Sequence, residues 1–204
     1  MIMKFDHISF SCERKSVRSV SSISGYELQF QNFNLRNIDC KKIFFREPQQ
    51  GHDIYLYEKV QDVPVEITAY DTCFQGEDSM DVENSTVIMY SPDPGKTSEF
   101  LASLGLKKME SCGDELFLEG KFALGRVSCA IRKVNAVEWK LDKTGWSSIC
   151  FLSSDTKKEL QRIQAAGYNV TSVEELTVNQ KRMDIGFCTG PFGEIVEIIS
   201  IKRG

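Results

Sequence analysis

The chain has two histidines, His7 and His52, and any metal or acid–base scheme must begin with them. His7 lies in FDHISFSC (5–12), which alternates. Ile8 and Phe10 fall on one face of a strand, and His7, Ser9 and Ser11 on the other. In VPVEITAY (63–70), Glu66 shares a face with Thr68, opposite Val65, Ile67 and Ala69. If these strands pair, an imidazole and a carboxylate stand together on one polar face, which is the beginning of a metal site. Glu197, in GEIVEIIS, shares its face with Ile195 and Ile199. A charge there must be paired, protonated or bound to a cation. Glu194, next to Gly193, reads as solvated.

Other candidates carry weaker signals. His52 opens DIYLYE and reads as a turn residue that could still reach a site. Arg182, in NQKRMD, could clamp an anionic substrate or simply face water near a hairpin. Tyr90 and Trp146 could line a cavity or fill the core. GPFGE lacks phosphate-loop spacing and reads as a hairpin. The cysteines are Cys12, Cys40, Cys73, Cys112, Cys129, Cys150 and Cys188, with no C-x-x-C pair, so they are expected to be small buried hydrophobes.

What positions these residues is a threefold internal repeat. Each unit has a short alternating strand, a helix, a glycine and then strands. From anchors at His7, Thr86 and Ser148, the glycines Gly25, Gly105 and Gly167 follow after 18, 19 and 19 residues. A glycine there suits the left-handed residue that ends a helix. Asp93 before Pro94, and Asp155, are predicted helix caps. The first helix is diluted by serines. Later stretches, KIFF (42–45) among them, alternate as strands. The units are expected at 1–72, 86–134 and 146–204, with CFQGEDSMDVENS (73–85) as a linker and a less clear joint at NAVEWKLDKTG (135–145). The predicted fold class is α+β, with about three βαβββ units forming cupped mixed sheets and helices on the outer face.

Composition bounds the function. A net charge of −4 argues against nucleic acid as the main partner. No apolar run approaches the length of a membrane span. The aspartate and histidine in MIMKFDHISF break any signal-peptide core, so a cytoplasmic protein is expected.

Strand–helix–three-strand units with a histidine in the first strand and a glutamate in the last resemble the vicinal oxygen chelate superfamily. That superfamily includes glyoxalase I, bleomycin-resistance proteins and extradiol dioxygenases. The stretches that carry the resemblance are VIMYSPDPGKTSEFLASLGLKKM, ELQRIQAAGYNVTS, LTVNQKRMDIGF and GPFGEIVEIIS. The resemblance implies a divalent metal (Mn, Fe, Ni, Co, Mg or Zn) held by His7, Glu66 and Glu197, with Glu66 and Glu197 also catalytic. Thr86 and Ser148 stand at the histidine position of the other units. His52, Tyr90, Ser148 and Arg182 are then candidates for the substrate pocket. Units two and three look like the ordinary pair, yet the full ligand set requires unit one to face unit three or a unit of another chain. An odd number of units, with free strand edges, makes a homodimer the expectation.

Two functions follow from the resemblance. One is a metal-dependent lyase or isomerase, or a dioxygenase if the metal is iron, acting on a small oxygen-rich substrate. The other is a metal-free small-molecule binder, of the kind that sequesters a drug.

Overall fold

The computed structural model describes residues 3–20, 25–59, 62–83, 86–109, 111, 115–122 and 125–202. Cys112 and the serine-rich stretch 21–24 lie outside the described residues. Unit one comprises β1 (Lys4–Glu13), a short helix α1 (Val17–Val20), β2 (Glu27–Arg36), β3 (Gly51–Glu58) and β4 (Val65–Tyr70). A short strand, β5 (Met80–Glu83), follows in the linker. Unit two comprises β6 (Thr86–Ser91), α2 (Pro94–Ser103), β7 (Lys107–Lys108), β8 (Leu116–Phe122) and β9 (Gly125–Lys133). Unit three comprises β10 (Gly145–Leu152), α3 (Thr156–Ala165), β11 (Asn169–Val170), β12 (Glu174–Val178), β13 (Lys181–Thr189) and β14 (Ile195–Ile201). The α+β class and the repeated βαβββ unit are therefore as the sequence indicates, with one strand more in unit three.

The local signals act as expected. The Asp93 and Asp155 carboxylates accept from the backbone N–H groups of Lys96 and Lys158, closing the first turns of α2 and α3. Gly105 and Gly167 end those helices at φ 104° and 93°, where a side chain would clash with the backbone. KIFF differs from expectation. Residues Asp39–Phe44 form a 3-10 helix instead of a strand. The Glu174 carboxylate accepts from the N–H groups of Asp39 and Cys40, at 3.0 and 2.5 Å, and this stabilises the turn.

Units one and three share one sheet, in the order β11-β13-β14-β10-β1-β4-β3-β2, with β12 also paired to β13. The two halves meet where β1 and β10 pair antiparallel. Each central strand then pairs parallel with the last strand of its own unit, β1 with β4 and β10 with β14. This differs from the expected pairing of units two and three. The reason lies in the linker. β5 pairs antiparallel with β6, occupying in the second sheet (β5-β6-β9-β8-β7) the place that β10 holds beside β1. The edge of β6 that would have joined unit three is thereby taken.

One face of the large sheet carries Ile8, Ile149 and Val196, all fully buried. Burying each such side chain contributes about 1.5–3 kcal/mol. Unit two docks on unit three through α2. Phe100 packs on Tyr168 with ring centres 4.8 Å apart. Glu194 is fully buried, not solvated as its place in a hairpin suggested. Its carboxylate accepts from the Thr97 hydroxyl of α2 and from the Phe192 N–H. No helix among the described residues is long and apolar enough to cross a membrane.

The Glu194–Thr97 contact is the buried polar tie between these units, and on the surface Arg162 donates to the Ser103 carbonyl at 2.8 Å. Thr97→Val is expected to lower stability by about 1–3 kcal/mol, because a buried carboxylate oxygen loses its donor. The urea midpoint should fall with an unchanged m-value. A midpoint equal to that of the parent would show that the contact contributes nothing to docking.

Candidate functional site

The register of the large sheet determines what converges. His7 pairs with Cys150, and Cys150 with Glu197, so the three stand in one row across β1, β10 and β14. Residues paired in this way point to the same face. Glu66 pairs with Ser9, one step along that face. The sheet curls, and the 3-10 helix Asp39–Phe44 is bound across its mouth by Glu174. Arg36, at the end of β2, donates to the Glu175 carbonyl at 3.0 Å and draws the same edges together.

The result is a cavity of about 100 Å³. His7, Glu66, Glu197, His52, Asp6 and Lys41 supply its polar groups. The remaining wall is apolar, with Phe30, Ile38, Ile54, Leu56, Val178 and Ile185 among it. A small enclosed space with an apolar wall and a few convergent polar groups suits a small ligand.

His7 is the best-defined group. Its Nδ1 is 2.8 Å from Asp6 Oδ2. Its Nε2 is 3.7 Å from Glu66 Oε2, is buried, and has no hydrogen-bond partner. Adjacent residues on a regular strand face opposite ways, but a register shift between Phe5 and His7 places Asp6 beside the ring. Burial alone would lower the His7 pKa. The Glu66 charge, the hydrogen bond to Asp6, and the charges of Asp6 and Glu197 outweigh that and raise it to about 9.

The two carboxylates are held differently. Glu66 Oε1 accepts from the Thr68 hydroxyl at 2.9 Å. Glu197 is pushed above the usual carboxylate range by burial and then by the Glu66 charge, with Lys41 and His7 acting against this.

His52 is a strand residue of β3, not a turn residue, and is 1% exposed. Its ring lies 5.8 Å from that of Tyr70. Burial, then the charges of Lys41 and Arg14, hold its pKa well below the usual value, so the ring is neutral at pH 7.

Three expected pocket residues do not line the cavity. Tyr90 belongs to β6, in the other sheet. Ser148 is buried on β10 opposite Ser9, outside the cavity wall. Arg182 forms a two-pronged pair with Glu175, at 2.8 Å for each contact, on the outer surface. Trp146 packs edge-on against Phe10, with centres 5.2 Å apart. Asp6 and Lys41 are cavity residues that the sequence pattern did not single out. Asp6 was hidden by the bulge, and Lys41 by reading its neighbours as a strand. The described cysteines are free. Burial pushes the Cys150 thiol far up, so it is neutral although it lies within 4.8 Å of Asp6 and His7 ligand atoms.

Part of the expected donor set for a divalent cation is in place. A buried imidazole nitrogen lacks a hydrogen-bond partner, its other nitrogen is fixed by a carboxylate as in many metal-binding histidines, and the Glu66 carboxylate stands 3.7 Å away. Among the described residues the donors that lie within 4.8 Å of one another are those of Asp6, His7 and Cys150, and Glu66 and Glu197 are outside that group. Lys41 brings a positive charge into the same space and opposes any such ion.

No family model and no curated protein matches the chain. Solved structures do. Glyoxalase I from Zea mays is similar at a TM-score of 0.44 and 12% identity, over 98% of this chain and 68% of that one. A putative dioxygenase from Bacillus subtilis subsp. subtilis str. 168 is similar at a TM-score of 0.43 and 13% identity, over 98% of this chain and 63% of that one. A glyoxalase/bleomycin resistance protein/dioxygenase from Alicyclobacillus acidocaldarius is similar at a TM-score of 0.42 and 14% identity, over 60% of this chain and 92% of that one. This chain thus spans about two thirds of the length of the first two. The likeness is one of chain path.

The electrostatics make a pH prediction. In chelator-treated protein the His7 ring is expected to titrate at about pH 9 in a histidine-selective NMR experiment. Glu66→Gln removes the adjacent negative charge and should move that midpoint down. The folded pKa lies above the unfolded value of 6.5, so the stabilisation from His7 is complete below about pH 6.5 and is lost as pH rises through about 9. Urea midpoints should fall across that window and fall less in Glu66→Gln. A His7 midpoint that Glu66→Gln leaves in place would refute the pairing.

Proposed function

We propose that this cavity is a small-molecule active site in which His7, Glu66 and Glu197 hold a divalent cation, and that the reaction is proton transfer beside a carbonyl, as in a lyase or isomerase of the glyoxalase type. The observation that supports this reading is the buried His7 Nε2, which has no hydrogen-bond partner and faces Glu66 across 3.7 Å. A cation bound there would polarise a substrate oxygen and stabilise an enolate.

The chain's own residues supply the rest. Asp6 holds the His7 ring with Nε2 directed into the cavity. Thr68 occupies one oxygen of Glu66 and leaves the other turned toward His7. Glu197 has its proton affinity raised by burial, so it can take a proton from a carbon acid and return it. The apolar wall lowers the local polarity, which strengthens each of these interactions.

A second reading is favoured by Lys41. Its ammonium shares the cavity with the carboxylates, so their charge is partly balanced without an ion. On that reading the site binds a small molecule and holds no metal.

Elemental analysis of untagged protein separates the two. Near-stoichiometric Mn, Fe, Ni, Co or Zn that is lost on His7→Ala is the expected result. Adding back the bound metal at about a hundred times its Kd should then stabilise the parent by about 2.7 kcal/mol, and His7→Ala by much less. A metal-free protein whose melting temperature no divalent ion raises would replace the enzyme reading with the binder.

A further inference from the structure

Lys41 and His52 are the polar cavity residues that this mechanism does not use, and Lys41 is the amine of the two. It follows Cys40 in the 3-10 helix that crosses the mouth, and its position is fixed by the hydrogen bonds from Asp39 and Cys40 to Glu174. The residue is 8% exposed. Its Nζ lies 5.5 Å from the centre of the Tyr70 ring, and it makes no hydrogen bond or ion pair with any described residue. Lys143, the other buried lysine, shows the contrast. Its Nζ donates to the Glu77 and Glu138 carbonyls and to the Ser79 hydroxyl, so that amine is held and blocked.

We propose that Lys41 is a carbonyl-capturing amine, forming an imine with an uncharged aldehyde or ketone bound against the apolar wall of the cavity. An amine with no hydrogen bond to a described residue, in an enclosed and largely apolar cavity, is placed as a nucleophile. Burial also lowers its pKa, although Glu197 and Glu66 oppose the shift, and this enlarges the reactive neutral fraction. An uncharged carbonyl compound suits a space that already contains Asp6, Glu66 and Glu197, since a further negative charge would be repelled. The step balances without any other reactant. The nitrogen forms a bond to the carbonyl carbon, and the carbonyl oxygen leaves as water carrying two of the three ammonium protons. The nitrogen keeps the third in the protonated imine.

Reductive trapping tests this in chelator-treated protein, so that failure here says nothing about the cation, which elemental analysis of the His7 variant decides alone. Native protein is treated with limiting butanal and cyanoborohydride, then mapped by peptide mass spectrometry. The expected result is that Lys41 carries the reduced adduct first, ahead of Lys158, whose side chain is 72% exposed. Exposure alone predicts the reverse order. Prior denaturation should abolish the preference for Lys41. Lys41→Arg, which keeps the charge but cannot form an imine, should lose the early adduct with the remaining sites unchanged. Should that variant fail to fold, the order of labelling in the parent still decides. An unmodified Lys41 when the exposed lysines are alkylated would overturn the proposal.

Discussion

The antiparallel pairing of β1 with β10 is the constraint on which the rest depends. It joins the first unit to the third along their central strands, and it sets the row His7–Cys150–Glu197. A slip of one residue would turn every side chain of β1 to the opposite face. His7 would then enter the apolar layer that Ile8 now fills, and the cavity would lose its imidazole. The alternation of Ile8 with His7 and Ser9 opposes such a slip, because it would bury the polar set and expose the apolar one. Pairing within a single chain also means that these three side chains meet without a residue from a second copy.

The cavity concentrates polar groups that the fold leaves unsatisfied. His7 Nε2 and His52 Nδ1 are both buried without partners, and both residues line the same space. Each such group costs about 1–3 kcal/mol. Folding alone would favour apolar residues of similar size at these positions, and the sheet has them elsewhere, as Ile8 and Ile149 show. Unsatisfied donors and acceptors gathered in one concavity are suited to a ligand that completes them. The neutral His52 and the raised Glu197 follow from the same enclosure, which disfavours whichever form carries charge.

Much of this was legible because strands and helices leave periodic traces. Three glycines in register announced the repeat, and strand parity alone put His7 and Glu66 on one face. The pairing of units was not legible, because β5 is a four-residue strand within a polar linker, and nothing in MDVE distinguishes it from a loop. Lys41 was hidden for a related reason. KIFF alternates like a strand, and only the Glu174 carboxylate, far away in sequence, makes that segment a 3-10 helix. Asp6 next to His7 looked like a residue on the opposite face, and the bulge that reverses it leaves no mark in composition. Arg182 was ambiguous between cavity and solvent until its neighbour Glu175 was seen to satisfy it. At Lys41 a contact distant in sequence overrode a local pattern.

The second unit then has a physical rationale that its missing ligands obscured. It keeps the unit's strand order, β6-β9-β8-β7, with Thr86 at the histidine position. Because β5 covers the edge of β6, the second sheet adds nothing to the first by backbone pairing. It attaches by side chains instead, through Phe100 on Tyr168 and Thr97 on the buried Glu194. Those contacts lie at Tyr168, just past α3, and in the turn before β14, the strand that carries Glu197. Glu194 is three residues from Glu197, and its burial fixes the start of β14. The unit that has no donors of its own therefore acts as a buttress, holding in register the strand that delivers the third side chain to the cavity.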